Sequence, residues 1–217
     1  MTDSKLAAKL LFGTAALATL AFGVVTTVTL RGKTSRFDKR AQRTVHGAKG
    51  DGGRARVFDK AARATTPLGK WWAQVPLSLT AARRLQRAGR GAGALTLVGT
   101  AVGAALLSVG LDKLLRHRLP PPERGEPSEQ SYPSGHALQT SALAIATGYV
   151  LQREGLARGW SVAPLGMASV AAGAGRLFLD RHWTTDVLGG YCAGVAFGAT
   201  CAGIYELSRP HARRLHV

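Results

Sequence analysis

The 217-residue chain carries 29 Lys and Arg against 12 Asp and Glu, a net charge of +17, with 46% apolar residues and a near-neutral mean hydropathy of +0.03. The apolar content excludes a disordered chain, and two cysteines exclude a disulfide framework. A uniformly basic, nucleic-acid-binding domain is excluded as well, because the charges sit in short blocks between long stretches that hold none.

Residues 10–30 contain no charge and reach the roughly 20 residues that a helix needs to cross a bilayer. Lys5 and Lys9 precede them, as in a secretory signal. The apolar part is longer than the roughly 7–15 residues of a signal core, and no small-x-small cleavage site stands before Arg31, so this is a retained first helix. A basic, Gly-containing connection follows over 31–66, with one short amphipathic helix predicted around 54–64. Through Lys70 it carries 12 Lys and Arg. Residues 67–82 form a weaker span, which gains length only from Pro67 to Gly69 and a snorkelling Lys70.

A second strong span covers 91–112. Residues 83–90 and 153–158 read as tight basic turns. A polar loop with five prolines occupies 113–136 and leads into spans 137–152 and 159–175. A second polar loop, 176–186, leads into the last span, 187–206, where Cys192 and Cys201 are small packing residues. All the spans are rich in Gly and Ala, as suits membrane helices that pack backbone to backbone. The fold expected is an all-α polytopic membrane bundle, one domain over 1–217, with six transmembrane helices, or five if 67–82 does not cross.

The chemistry gathers in the two polar loops. They lie on one face of the membrane, because two spans separate them. The second loop contains Arg176, His182 and Asp186. A helix starting at Thr184 or Thr185 places the carboxylate under the imidazole, fixing its tautomer and leaving the other nitrogen as nucleophile or base. A hydrated His and Asp with a Thr cap fits that loop alone equally well. The first loop ends Tyr132-Pro133-Ser134-Gly135-His136. Ser134 and Gly135 fall in the first turn of a helix, where free N–H groups and the dipole favour an anion. Gly135 admits a phosphate close to the backbone, and His136 is suited to protonating a leaving oxygen. An ordinary Pro-Ser-Gly turn is the local alternative. Lys113, Arg116, Arg118 and Arg124 lie nearby in sequence. No His, Cys or carboxylate run has metal-ligand spacing, and no Gly-x4-Gly-Lys-Ser/Thr loop occurs.

These segments resemble the type 2 phosphatidic acid phosphatase superfamily, marked by Lys-x6-Arg-Pro, Pro-Ser-Gly-His and Ser-Arg-x5-His-x3-Asp. The second motif is intact as Pro133-Ser134-Gly135-His136. The third is Gly175-Arg176-x5-His182-x3-Asp186, with Gly for the leading Ser. The first keeps Lys113 but has Pro120-Pro121 for Arg-Pro. The resemblance implies a multi-pass cell-membrane enzyme with its site at the extracytoplasmic helix ends. It hydrolyses a lipid phosphate or isoprenoid (pyro)phosphate through a phosphohistidine, with no metal or cofactor. His182 is then the nucleophile, Asp186 orients it, and His136 is acid and base. Lys113, Ser134, Gly135 and Arg176 hold phosphate oxygens. Arg118 substitutes for the missing Arg, whose loss costs on the order of 1.5–3 kcal/mol of binding. The partners implied are an anionic lipid phosphate and the membrane, with no nucleic acid and no obligate protein partner. A lipid phosphotransferase with the same histidine chemistry, or a non-catalytic membrane protein that kept the fold, are the alternatives.

Topology contains a conflict. Six spans put the basic 31–66 segment outside, against the positive-inside bias, whereas five spans put residues 31–90 inside. The resemblance favours six.

Overall fold

The computed structural model describes residues 2–122 and 130–209; Arg124, Arg213 and Arg214 lie outside the described residues. Six long helices form the bundle: α1 (Thr2–Leu30), α4 (Trp71–Arg87), α5 (Gly91–Leu114), α6 (Gly135–Arg153), α7 (Ala163–Phe178) and α8 (Thr184–Ser208). Between the first two stand α2 (Ser35–Lys49), α3 (Gly52–Thr65) and a 3-10 turn (Thr66–Gly69). No strand occurs among the described residues. The all-α membrane bundle expected from the sequence is the fold observed.

Three of the helices, Ser4–Leu30, Gly91–Leu114 and Thr184–Ser208, are long and apolar enough to cross a membrane by themselves. Leu17, Leu20 and Val24 of α1, Leu95 and Leu106 of α5, and Met167 and Val170 of α7 all point outward. Such outward apolar rows suit a lipid surrounding. The remaining three helices, with 17, 19 and 16 residues, are shorter. Of these, α6 is packed among the others and buries residues on every side, whereas α4 and α7 leave an outer face exposed.

The boundaries depart from expectation in three places. Residues 35–49, expected in a loop, form a helix. Residues 83–87 continue α4 rather than forming a turn, so the reversal is confined to Ala88–Arg90, where Gly89 adopts φ +73°. Residues 159–162 are a 3-10 turn ahead of α7.

The central seam joins α6 to α8. Gly190, Gly194 and Gly198 recur every four residues and face α6. A Cβ at these positions would strike the Ser134 carbonyl, the Ser141 hydroxyl and Leu138 carbonyl, and the Ala142 carbonyl respectively. Backbone therefore meets backbone, and dispersion and hydrogen bonding hold the seam where lipid removes any hydrophobic drive between helices. Ala104, Leu138, Ala142 and Ala193 fill the layer beside it.

At one end of the bundle, Arg153 pairs with the buried Glu206, which also accepts a 2.9 Å bond from Tyr149, and Tyr205 donates to Glu154 at 2.5 Å. At the other end, α2 and α3 pack against α7, α2 also against the start of α8, and α2 reaches the loops carrying residues 118 and 180. Since the 31–66 segment and both motif loops share one end, α4 and α5 form an out-and-back pair. That arrangement is the one six passes require, although by length and apolarity alone three helices qualify as spans.

Gly194→Val should lower the melting temperature of the detergent-purified protein, because the added groups meet backbone that cannot move aside. The expected cost is about 1–3 kcal/mol. Gly13→Val, where a Cβ meets nothing within 4 Å, should leave the melting temperature nearly unchanged.

Candidate active site

His182 precedes α8, and its ring is buried. Its Nδ1 lies 2.7 Å from the Ser131 carbonyl oxygen. A carbonyl only accepts, so Nδ1 carries the proton and Nε2 keeps the lone pair. Asp186 was expected to supply this contact, but its Oδ2 stands 4.0 Å from the same nitrogen. The reason is local. His182 is outside the helix, and Asp186 Oδ2 accepts the Trp183 backbone N–H at 2.7 Å, capping the helix on which it sits. The tautomer therefore rests on Ser131, and Asp186 contributes negative charge behind it.

The second motif meets the third through backbone. Ser134 N–H donates to the Asp186 carbonyl at 3.0 Å, tying the N-terminus of α6 to the first turn of α8. Ser134 Oγ and His136 Nε2 are both buried without a hydrogen-bond partner among the described residues. Buried polar atoms are rarely left so, and each is a place where a ligand atom would be welcomed. His136 hydrogen-bonds the Thr66 backbone, and Arg176, His182 and Lys70 all lie close enough to act on its charge. Gly69 presses on this ring, and a Cβ there would lie 2.6 Å from the His136 Cβ. The bare side of Gly135 faces Ser108 of α5, so its missing Cβ also lets the two helices approach.

Arg176 ends α7, next to Gly175. The Gly in place of the family's Ser has a steric cause, since α3 crosses there: a Cβ would collide with Thr65 Oγ1 and lie 3.1 Å from the Ala62 carbonyl. Lys113 is exposed on the last turn of α5, and no hydrogen bond or ion pair among the described residues joins it to the histidines.

Arg118 has other partners than those expected of a phosphate ligand. One terminal nitrogen donates to Asp186 Oδ1 and to Thr185 Oγ1 (2.8 Å), the other to Asp38 Oδ2 (2.6 Å), and the guanidinium lies 5.8 Å from the Trp183 ring centroid. Its backbone is held as well, by Gln130 Oε1 at 2.8 Å and Ser131 N at 2.9 Å. The fork is thus spent on two carboxylates.

Asp38 belongs to α2 and escaped the sequence reading, as did the rest of that helix's inner face. Gln42 and His46 both bond Asp180, the latter at 2.8 Å, and Lys49 donates to the Phe178 carbonyl at 3.1 Å. Asp180 sits at φ +55° in the bend between α7 and His182. Residues 38, 42, 46 and 49 recur at helical spacing, a signal present in the sequence but polar rather than apolar. Among the described residues, no group of three or more His, Cys, Asp and Glu side chains gathers as a metal cluster.

Burial, and then the positive field of Arg176, push the His182 pKa down from 6.5 to about 3, against the Ser131 hydrogen bond that favours protonation. The ring is therefore neutral at pH 7, with a lone pair available. Protonation is easier in the unfolded chain, so this group destabilises the fold progressively as pH falls from 6.5 towards 3 and has no such effect above 6.5. Thermal melts of the purified protein across that window should show a steeper acid loss for the wild type than for His182→Gln.

The PAP2 superfamily profile matches residues 94–209. A Lipid A 1-phosphatase of Porphyromonas gingivalis is 36% identical over 104 residues, a match covering 47% of this chain and 22% of that protein. The chain thus spans well under two thirds of the length of that curated relative. The solved transmembrane PAP2 type phosphatidylglycerolphosphate phosphatase from Bacillus subtilis has the same fold, with a TM-score of 0.75 over 91% of this chain and 98% of that one, at 19% identity. Since the profile runs from α5 through the end of α8, more than half the sequence, and includes the intact second motif and the third with its one Gly-for-Ser change, the chain belongs to the PAP2 superfamily.

Proposed function

We propose that the protein is an integral membrane phosphatase that hydrolyses a lipid phosphate or isoprenoid (pyro)phosphate through a phosphohistidine, without a metal. The observation that carries this reading is the pair of buried, unpartnered atoms, Ser134 Oγ and His136 Nε2, in a site that also contains Arg176 and a His182 whose lone pair is on Nε2. A phosphoryl group supplies acceptor oxygens for the hydroxyl, the α6 N-terminus and Arg176. His182 Nε2 forms a bond to phosphorus as the bond to the lipid oxygen breaks, and His136, charged at Nε2 by a proton taken up with the anionic phosphate, gives that oxygen its proton. Water then attacks phosphorus and returns a proton to His136, and the P–N bond breaks to release phosphate. The negative charge of Asp186 steadies the positive charge that develops on the imidazole.

A groove of about 170 Å³ supports a lipid as the bearer of the phosphate. Leu68 and Thr140 begin it next to His136, and Leu77, Leu143, Ala144 and Leu165 continue it between α4, α6 and α7. Its lining is almost wholly apolar, as a hydrocarbon tail requires. The partial match to a Lipid A 1-phosphatase agrees with a phosphorylated lipid as substrate class.

Purified protein in detergent with EDTA should release phosphate from at least one of a panel of lipid phosphates. Release should stop in His182→Ala and be inhibited by vanadate. Activity that survives His182→Ala overturns the histidine route, and release from no substrate favours the non-catalytic reading. Phosphate appearing on an added alcohol in place of free phosphate identifies a transferase.

The site is proposed to face the extracytoplasmic side. In a chain lacking Cys192 and Cys201, a cysteine placed at the exposed Ser35 should react with an impermeant thiol reagent in intact cells, whereas one placed at Arg84 should react only after lysis. The reverse pattern would put the site in the cytoplasm.

A further inference from the structure

Asp38 makes more contacts with the first turn of α8 than any sequence feature announced. It is 1% exposed and stands on α2, 147 residues from Thr185 in sequence. Its Oδ1 accepts the Thr185 backbone N–H at 3.0 Å. Its Oδ2 accepts the Thr185 hydroxyl at 2.8 Å and the Arg118 guanidinium at 2.6 Å. Arg118 in turn donates to Asp186 Oδ1. One carboxylate therefore caps the N-terminus of α8 from outside the helix, where the dipole favours negative charge. It also anchors the cation that neutralises Asp186.

We propose that Asp38 is a positioning residue for the phosphoryl-transfer site: through Arg118 and Thr185 it fixes Asp186, and with it the backbone joining His182 to Ser134. The chain of contacts is continuous. Asp38 holds Arg118 and Thr185, Arg118 holds Asp186, and Asp186 holds Trp183 N–H through its side chain and Ser134 N–H through its carbonyl. Trp183 is bonded to His182 in the chain, so the nucleophile's backbone is fixed by the same carboxylate. This assignment also accounts for Arg118. With Pro120 where the family carries Arg, Arg118 is the nearest cation, yet its fork closes on two carboxylates. It is an electrostatic bridge between α2 and α8, and phosphate is left to Arg176 and the α6 N-terminus.

The inference rests on the phosphatase reading, and its test separates the two. Asp38→Asn keeps the shape of the side chain but cannot satisfy all three donors. One amide orientation sets NH₂ against Arg118 and the Thr185 hydroxyl, the other against the Thr185 N–H. With the variant folded by gel filtration and melting temperature, kcat should fall about 10- to 100-fold while KM stays within roughly twofold, as for residues that orient others. Asp38→Asn combined with Arg118→Met should be no slower than the slower single variant, since both changes break one chain of contacts. An active wild type with unchanged kcat in Asp38→Asn overturns the proposal, and so does a change confined to KM. If the wild type releases no phosphate, the phosphatase reading fails. The bridge is then still decided by fluorine NMR of 5-fluorotryptophan protein, with the Trp183 signal assigned by Trp183→Phe. That signal should shift in Asp38→Asn, and an unmoved signal overturns the bridge.

Discussion

Asp186 is fully buried at the top of α8, and the site is organised around the bonds it makes. Its side chain accepts from Trp183 N–H and from Arg118, and its main-chain carbonyl accepts from Ser134. A carboxylate taken out of water must be paired and hydrogen-bonded, and removing one partner from such a pair costs about 3–5 kcal/mol. That requirement draws the Pro-rich loop, the N-terminus of α6 and the start of α8 to one point. The two histidines are close because their backbones are tied through this residue. Direct contact between their side chains is not needed.

The same end of the bundle is closed by α2 and α3, whose inward face is polar. Asp38, Gln42, His46 and Lys49 do not pack in an oily core. They satisfy the Thr185 and Arg118 donors, Asp180 and the Phe178 carbonyl. Irregular backbone between α7 and α8 can sit at the membrane surface because these side chains complete its hydrogen bonds. The packing of α3 on Gly175 shows the same economy of space, since the contact leaves no room for the Ser found in the family pattern.

The charge of +17 divides accordingly. Lys49 and Arg118 are spent on internal contacts with Asp59, Asp38 and Asp186. Arg36, Lys39, Arg40, Arg43, Arg54, Arg56, Lys60 and Arg63 remain exposed on α2 and α3, at the same end as the site. That end thus presents positive charge where an anionic lipid head group would approach.

Much of the bundle was legible from the chain alone, because a bilayer imposes a length and a lack of charge that can be counted. The uncharged runs 10–30, 91–112 and 187–206 required no tertiary information to be identified as helices. The motif residues were legible for a related reason: Ser134, His136, Arg176, His182 and Asp186 stand beside helix ends whose dipoles give polar groups a use. What only the tertiary structure decided is which group each of them touches. Nothing in the spacing of His182 and Asp186 reveals that the Ser131 carbonyl lies nearer to the ring, nor that Arg118 is held by an acid from α2. Those contacts join residues far apart in sequence, and their partners are backbone atoms or lone carboxylates without periodic signature. The helix over 35–49 was hidden because its buried face is polar, and burial that satisfies hydrogen bonds leaves no hydrophobic pattern to read.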